Sequence, residues 1–416
     1  MATASAHGRQ HARSPLAITS VNRKAMQRMP ASKTAAIVGY GETKFSRDST
    51  VSSLTLNLRA IHSALRDAGL DAHGIDGIIA PAILGATIDD LCTSLSLPDL
   101  SFSATMVTGG AGPCSAIGLA AKAVESGLCN RVLVSFGYNG YSEQRLGFRP
   151  PQIMFGESAA YRRNYEASSG LLLPAQYYAL WATRYMYVHG WKDTLVLAAV
   201  AVTQREYAAK NARAMRRDPI TVAEHQSSRM ISSPFRLLDC SQETDGAIAV
   251  IVARPDDIDV AQGAEVSIAG WGQSKPPFPD QSITREDFLY SALAPAGRRA
   301  MAMAGVSPAD VNFAEIYDPF TFHVVWQLES LGFCAPGEGG EFVLGGETRP
   351  GGSLPVNTHG GLLSEAHLWG MNHVTEAVRQ LRGDAGPSQV SGAEVGVVTG
   401  TGDFGDGSVL VLRREN

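Results

Sequence analysis

A chain of 416 residues with 44% apolar and 18% charged side chains can bury a core, and it exceeds the ~250–300 residues at which a single core stops growing, so two domains or one large double fold are expected. A formal net charge of −5 excludes a general nucleic-acid binder, whose footprint is a basic excess, and no run of ~18 apolar residues offers a membrane span. Cys92, Cys114, Cys129, Cys240 and Cys334 are odd in number and scattered, with no CxxC pair, which argues against a zinc site in this chain and for a reducing, cytoplasmic setting.

Residues 1–33 carry six Arg and Lys residues and no acid, the composition of a disordered basic tail or of an organelle-targeting segment. From Thr34 the pattern alternates apolar strands with amphipathic helices. Ala35 to Gly39 reads as a buried strand, and Ser53 to Ala68 as a helix with Leu54, Leu58, Ile61 and Leu65 on one stripe, stopped by Gly69. A small-residue helix from Pro113 to Glu125 ends at Gly127 and leads into the strand Val132 to Gly137. Continuous apolar strands between helices predict an α/β fold with a mainly parallel sheet covered on both faces. Residues 141–235 read as an insertion, rich in aromatics (Tyr177, Tyr178, Trp181, Tyr185, Tyr187) and ending in Arg213, Arg216 and Arg217. The aromatics suit core packing or a substrate cover; the arginines suit a solvated face or phosphate binding.

The grammar then repeats. Ala36-Ile37-Val38-Gly39-Tyr40-Gly41 is echoed by Ser267-Ile268-Ala269-Gly270-Trp271-Gly272, and Ala64 to Leu70 by Ala300 to Val306. Gly109-Gly110 with its following helix and strand is echoed by Gly360-Gly361, a helix and the strand Val395 to Val398. Three echoes in the same order predict two similar halves, 34–255 and 262–416.

The segment Val356-Asn357-Thr358-His359-Gly360-Gly361, followed after five residues by His367 and then by Gly370, resembles the thiolase superfamily. Ala314 to Phe320 falls where thiolases carry Asn-Glu-Ala-Phe, and Thr244-Asp245-Gly246-Ala247 resembles the turn before the last strand of the first half. The resemblance covers Thr34 to Arg413. It implies the thiolase fold: two βαβαββ halves in a five-layer αβαβα arrangement, with 141–235 as an inserted cover. Counting back from Gly127, the thiolase nucleophilic cysteine falls at Gly110, and no second cysteine precedes the turn Thr399 to Gly402. A thiolase needs a thiolate to carry the acyl group, and Cys114 lies one helical turn away.

Gly109-Gly110, Leu354 to Gly361 and Glu376 to Gly383 look like one branch in particular, the thiolase-like aldolases that shorten steroid side chains. That resemblance implies retro-aldol cleavage of a bulky β-hydroxyacyl-CoA to a ketone and a shorter acyl-CoA. It also implies a homodimer and a partner made of a zinc ribbon and an OB-fold. Any zinc belongs to that partner, and CoA is part of the substrate. Such chemistry needs a base for the β-hydroxyl and donors for the thioester enolate. Tyr317 and His367 are the expected proton-handling pair, with Asp318 an orienter or a turn acid; the aldolases are expected to carry a second Tyr where this chain has His367. Gly109, Gly110, Gly360 and Gly361 suit close backbone approach to a thioester, Gly402 lines the same pocket, and His359 fixes its turn or touches substrate. Two further readings stay open: an acyltransferase using Cys114, and a non-catalytic subunit.

Overall fold

The computed structural model describes residues 34–415 apart from 83, 108, 146–161, 258–264, 278–284 and 403–404. The basic segment 1–33 and part of the 141–235 insertion therefore lie outside the described residues. The first strand and helix form as β1 (Ala36–Glu42) and α1 (Ser53–Asp67), with the Ser52 side chain accepting from Thr55 N–H at the helix start. Then come β2 (Gly77–Pro81), α2 (Ile88–Leu95), β3 (Phe102–Met106), α3 (Gly112–Glu125) and β4 (Arg131–Asn139). The insertion supplies α4 (Pro174–Val188), α5 (Leu195–Lys210), α6 (Val222–Ser227) and a hairpin of β5 (Met230–Ser232) and β6 (Phe235–Arg236). The chain continues through β7 (Asp245–Ala253), β8 (Val266–Ser274), α7 (Leu293–Ala304), β9 (Phe313–Glu315), α8 (Thr321–Ser330) and α9 (Gly339–Leu344). It ends with α10 (Gly361–Ser364), α11 (Met371–Arg382), β10 (Val395–Thr401) and β11 (Gly407–Arg414).

Nine strands hydrogen-bond in the order β3-β2-β4-β7-β1-β8-β11-β10-β9. Read outward from the β1–β8 junction, the two sides match. β1 is antiparallel to β7, β7 to β4, and β4 is parallel to β2. Likewise β8 is antiparallel to β11, β11 to β10, and β10 is parallel to β9. The sheet is thus mixed, whereas a mainly parallel one was expected. The strand β7 explains the difference: all nine of its residues are buried, because helices cover both faces. A continuous apolar run reports two-sided burial and carries no information on direction.

Alternation along β1 separates the layers. Ala36 and Val38 face α1 and α2 together with Ile61, Ala64 and Leu65, while Ile37 faces the opposite layer. That opposite layer is built of α3 (Ile117, Ala121, Val124) and α11 (Val374, Val378, Leu381), packed between Val132 and Val250 on one side and Ile268, Val398 and Leu410 on the other. Beyond the second sheet half, α7 and α8 pack with the aromatics of α4. The order of layers is helix, sheet, helix, sheet, helix.

The repeated Gly-x-Gly now has a physical cause. A Cβ on Gly39 or Gly41 would lie 2.6 or 2.2 Å from the carbonyl oxygens of Ala64 and Ala60 in α1, and one on Gly270 or Gly272 would lie 2.0 Å from those of Ala300 and Ala296 in α7. Both strands press their backbone against a helix backbone. This close approach also puts Leu56, Ala60 and Ala64 at the centre of the buried face of α1, while Leu54 and Leu58 of the expected stripe flank it half-buried.

Candidate active site

Tyr317 follows β9 and is fixed by its main chain. Its N–H donates to Thr399 Oγ1 (2.9 Å), and its carbonyl accepts from Gln327 Nε2 (2.6 Å). Thr399 in turn donates to Gln327 Oε1 (2.6 Å). One residue earlier, Ile316 is held at both backbone groups by the Asn357 amide, at 2.5 and 2.8 Å. Asn357 itself has φ +54°, a conformation that Asn tolerates better than most residues.

The phenol ring lies between two glycines. A Cβ on Gly370 (φ +89°) would stand 2.9 Å from Tyr317 Cδ2. One on Gly110 would stand 2.2 Å from Tyr317 Cζ, 2.4 Å from its Oη and 2.4 Å from the Thr401 carbonyl oxygen. Such carbons essentially never approach a neighbour within 3.0 Å, and ordinary contact begins near 3.4 Å. Tyr317 therefore occupies the volume that a side chain at 110 would need, and no thiol can stand there while it does. Cys114, one turn further along α3, is fully buried with its thiol toward the Val398 carbonyl (3.8 Å), and burial pushes its pKa up to about 12. It is a thiol at neutral pH and a poor nucleophile.

His367 meets Tyr317 from the other side. Its Nε2 lies 3.2 Å from Tyr317 Oη and its Nδ1 lies 3.1 Å from Ser241 Oγ. The His367 N–H donates to Thr244 Oγ1 (3.0 Å), and its carbonyl accepts from the Tyr138 hydroxyl (3.0 Å). The residue is half-buried, and burial, helped by nearby His373, pushes its pKa down to about 4. His367 is thus a neutral imidazole at pH 7, able to accept or donate one proton. The chain then turns sharply through Trp369, whose φ of +55° is unusual for a bulky residue. Trp369 packs on Phe136 and Tyr138 of β4, with ring centroids 6.1 and 5.6 Å away, and this turn delivers Gly370 beneath Tyr317.

The structure thus joins Tyr317, His367, Gly110 and the Thr401–Gly402 turn; the Gly402 carbonyl accepts from the Tyr178 hydroxyl at 3.2 Å. The other expected residues sit one layer deeper. Asp318 is fully buried and accepts from Leu362 N–H (2.8 Å), Leu363 N–H (3.4 Å) and His373 Nε2 (3.1 Å). The Gln204 amide donates to Asp318 Oδ2 (2.8 Å) and to the Gly360 carbonyl (3.0 Å). A Cβ on Gly361 would collide with Asp318 and Gln204, and one on Gly360 with Ala208 of α5. These glycines seat the inserted helix and Asp318 against the turn.

His359 is also fully buried. It lies 3.0 Å from Glu315, 3.6 Å from Glu365 and 2.9 Å from His373 Nδ1. Burial works against its charge, but the carboxylates of Glu365 and Glu315 outweigh it and hold its pKa up to about 9. Glu315, His359 and His373 are the described residues whose donors cluster closely enough to hold a metal, a grouping the sequence spacing did not suggest. His359 Nε2 and His373 Nδ1 face each other, and His373 Nε2 continues to Asp318, so these three side chains form a buried hydrogen-bonded row. Arg213 reaches into the same region, 3.0 Å from Glu376 and 3.4 Å from Glu365, and Arg216 donates to Gln242 (3.1 Å). Arg216 is half-buried, while Arg213, bridged to those buried acids, and Arg217 are exposed. The aromatics Tyr178, Trp181 and Tyr185 pack into the core of the second half.

Sequence reasoning missed Ser241, Gln327 and Tyr138. Gln327 had a signal, since it is a polar residue inside the apolar run Phe322 to Leu328 of α8. Ser241 had none.

Comparisons with known proteins place the chain in a family. Residues 279–414 match the family model described as thiolase C-terminal domain-like. The 17-hydroxy-3-oxo-4-pregnene-20-carboxyl-CoA lyase of Mycobacterium tuberculosis is 37% identical over 90% of this chain and 98% of that protein. A steroid side-chain-cleaving aldolase of Thermomonospora curvata is 35% identical over 90% of this chain and 97% of that protein. Among solved structures, the Ltp2-ChsH2(DUF35) aldolase superposes with a TM-score of 0.84 at 34% identity, covering 92% of this chain and 98% of that one. With the same fold and such likeness over nearly the full length, this chain belongs to the thiolase-like family that contains these acyl-CoA-cleaving aldolases.

Proposed function

We propose that the protein is a carbon–carbon lyase that cleaves a bulky β-hydroxyacyl-CoA by a retro-aldol reaction. The observation that carries this reading is the Tyr317 phenol standing where a side chain at Gly110 would be. The position that bears an acyl-carrying thiol in a thiolase instead faces a proton-transfer group. In the proposed step the Tyr317–His367 pair takes the proton from the β-hydroxyl, whose oxygen becomes a ketone as the Cα–Cβ bond breaks. The electron pair moves into the thioester as an enolate, and a proton delivered to Cα completes the shorter acyl-CoA. Neutral His367 suits this task, because it can receive a proton through Nε2 from the tyrosine and return it. Backbone N–H groups around Gly109 and Gly110 at the start of α3 are assigned to the enolate oxygen. The thioester serves as the electron sink, so the proposed reaction draws on no cofactor beyond the CoA of the substrate. The names of the M. tuberculosis and T. curvata relatives favour a steroid side chain as the acyl group.

The pairing of the similar aldolase with a DUF35 chain supports a partner subunit, which we take to be the zinc-ribbon and OB-fold protein. Among the described residues the edge strand β3 leaves one side of its backbone without a strand partner, and this supports a homodimer joined there. Among the described residues no helix is long and apolar enough to cross a membrane, in keeping with a cytoplasmic enzyme.

The test is mass spectrometry of CoA thioesters. The protein, co-expressed with its partner, is given bulky β-hydroxyacyl-CoAs and, separately, β-ketoacyl-CoAs with free CoA. A ketone and a shorter acyl-CoA, formed without consumption of free CoA, are expected. Two thioesters formed at the expense of free CoA would overturn the reading in favour of an acyltransferase.

A further inference from the structure

The segment from Cys240 to Thr244 laces together the two loops that carry the proton-handling pair. Cys240 makes an antiparallel bridge to Phe320, Ser241 N–H donates to the Pro319 carbonyl (2.9 Å), Glu243 makes a parallel bridge to His367, and Thr244 accepts from His367 N–H. Ser241 sits between these attachments, half-buried, with its hydroxyl 3.1 Å from His367 Nδ1. The opposite ring nitrogen faces Tyr317 Oη at 3.2 Å.

A neutral imidazole carries one proton, and the partner of one nitrogen decides the state of the other. We propose that Ser241 is a positioning residue that accepts a hydrogen bond from His367 Nδ1–H and so keeps the Nε2 lone pair turned toward the Tyr317 hydroxyl. The catalytic need rests on the lyase reading above: Tyr317 can act as a base toward the β-hydroxyl only if its own proton has somewhere to go, and Nε2 is the acceptor. The main-chain bonds from Thr244 and Tyr138 hold the ring in place without favouring either tautomer. That selection falls to the single hydroxyl on the Nδ1 side.

The experiment uses the full chain with ¹⁵N-labelled histidine, the His367 signals being assigned through His367→Gln. Wild type is expected to show Nδ1 protonated and Nε2 bare near pH 7, and Ser241→Ala a mixture of the two tautomers. With a β-hydroxyacyl-CoA that turns over, Ser241→Ala is expected to lower kcat about tenfold, the order of one lost hydrogen bond, with KM within about twofold. Ser241→Thr, which keeps a hydroxyl, is expected to restore both the signature and kcat. An unchanged tautomer in Ser241→Ala overturns the proposal. So does a loss confined to KM, which would make Ser241 a substrate contact. The spectroscopic arm needs no substrate. A chain with the expected signatures that cleaves no β-hydroxyacyl-CoA would support the positioning by Ser241 and overturn the lyase reading.

Discussion

Gly110→Ala is the sharpest perturbation the site offers. The added methyl would lie 2.2 Å from Tyr317 Cζ and 2.4 Å from the Thr401 carbonyl oxygen, so something must move by more than 1 Å to reach ordinary contact near 3.4 Å. The Thr401 carbonyl belongs to β10, which is paired with β11 as far as Gly407, and cannot yield cheaply. The phenol must shift instead, pressed toward Gly370. Overpacking of this kind costs about 1–3 kcal/mol, and the double collision puts Gly110→Ala near the top, at about 3 kcal/mol. With an unfolding entropy of roughly 2 cal/mol/K per residue, that is about a 4 °C fall in Tm. The functional loss should be larger, because a displacement of about 1 Å in a reacting group can cost about a hundredfold in rate. Tyr317→Ala alone should cost about 3–5 kcal/mol as a cavity. In the double variant the new methyl enters that cavity, so the combined loss should fall short of the sum by about 1–2 kcal/mol. The shortfall is partial because the Thr401 carbonyl stays in place. Urea unfolding of the four proteins, with turnover read by mass spectrometry, gives both numbers. Wild-type stability and turnover in Gly110→Ala, or strict additivity in the cycle, would refute the claim that Tyr317 fills the space a side chain at 110 would need.

The remaining predictions concern the reaction and its pH range. Tyr317→Phe and His367→Gln should each lower kcat by about 10²–10⁴ while shifting the urea midpoint little. Cys114→Ala should keep turnover within about twofold of wild type, in line with its buried thiol; an inactive Cys114→Ala with a trappable acyl-enzyme would contradict the lyase reading. On the acid side, burial depresses His323 to about 3 and His367 to about 4, against about 6.5 unfolded. Between these values the unfolded chain binds more protons, so stability should fall as pH drops through 6.5, by up to about 5 kcal/mol at pH 3 for His323 alone. His323→Phe should flatten that limb in urea titrations at successive pH values. On the alkaline side His359 has the opposite sign: its contribution is present below about 6.5 and is lost as pH rises through about 9, roughly 3 kcal/mol in all. A His359→Gln variant whose stability falls as steeply as wild type between pH 7 and 10 would count against this account.

Much of the fold was legible because its signals are local. The Gly-x-Gly echoes announced a repeated strand-on-helix contact, and the spacing from Gly360-Gly361 to His367 marked the turn that meets Tyr317. Strand direction was not legible, because β7 and β11 are as apolar as any parallel strand. In the site, Tyr317 and His367 could be named from motif position, but their contact with Ser241 could not. Ser241 lies 126 residues from His367 in a stretch with no pattern of its own. The hydrogen-bonded row of Asp318, His373 and His359 was hidden for the same reason. Histidines fourteen residues apart on a turn and a helix become neighbours only when the loop from Asn357 to Gly370 folds back. The reach of Arg213 to Glu365 and Glu376 was not legible, since nothing local records those buried acids.

The central helical layer has a consequence for how the protein is made. α3 emerges early and α11 near the end of the chain, yet each packs against both sheet halves. While the ribosome is still adding the second half, Ile37, Ile117, Val132 and Val250 present an apolar face still waiting for part of its cover, and only the last 46 residues bring α11, β10 and β11. Long-range contacts of this kind fold late and leave the nascent chain open to aggregation. Production of this protein should therefore depend on holding the first half soluble until the C-terminus is released, and truncations from that end should remove the first half's solubility together with the site.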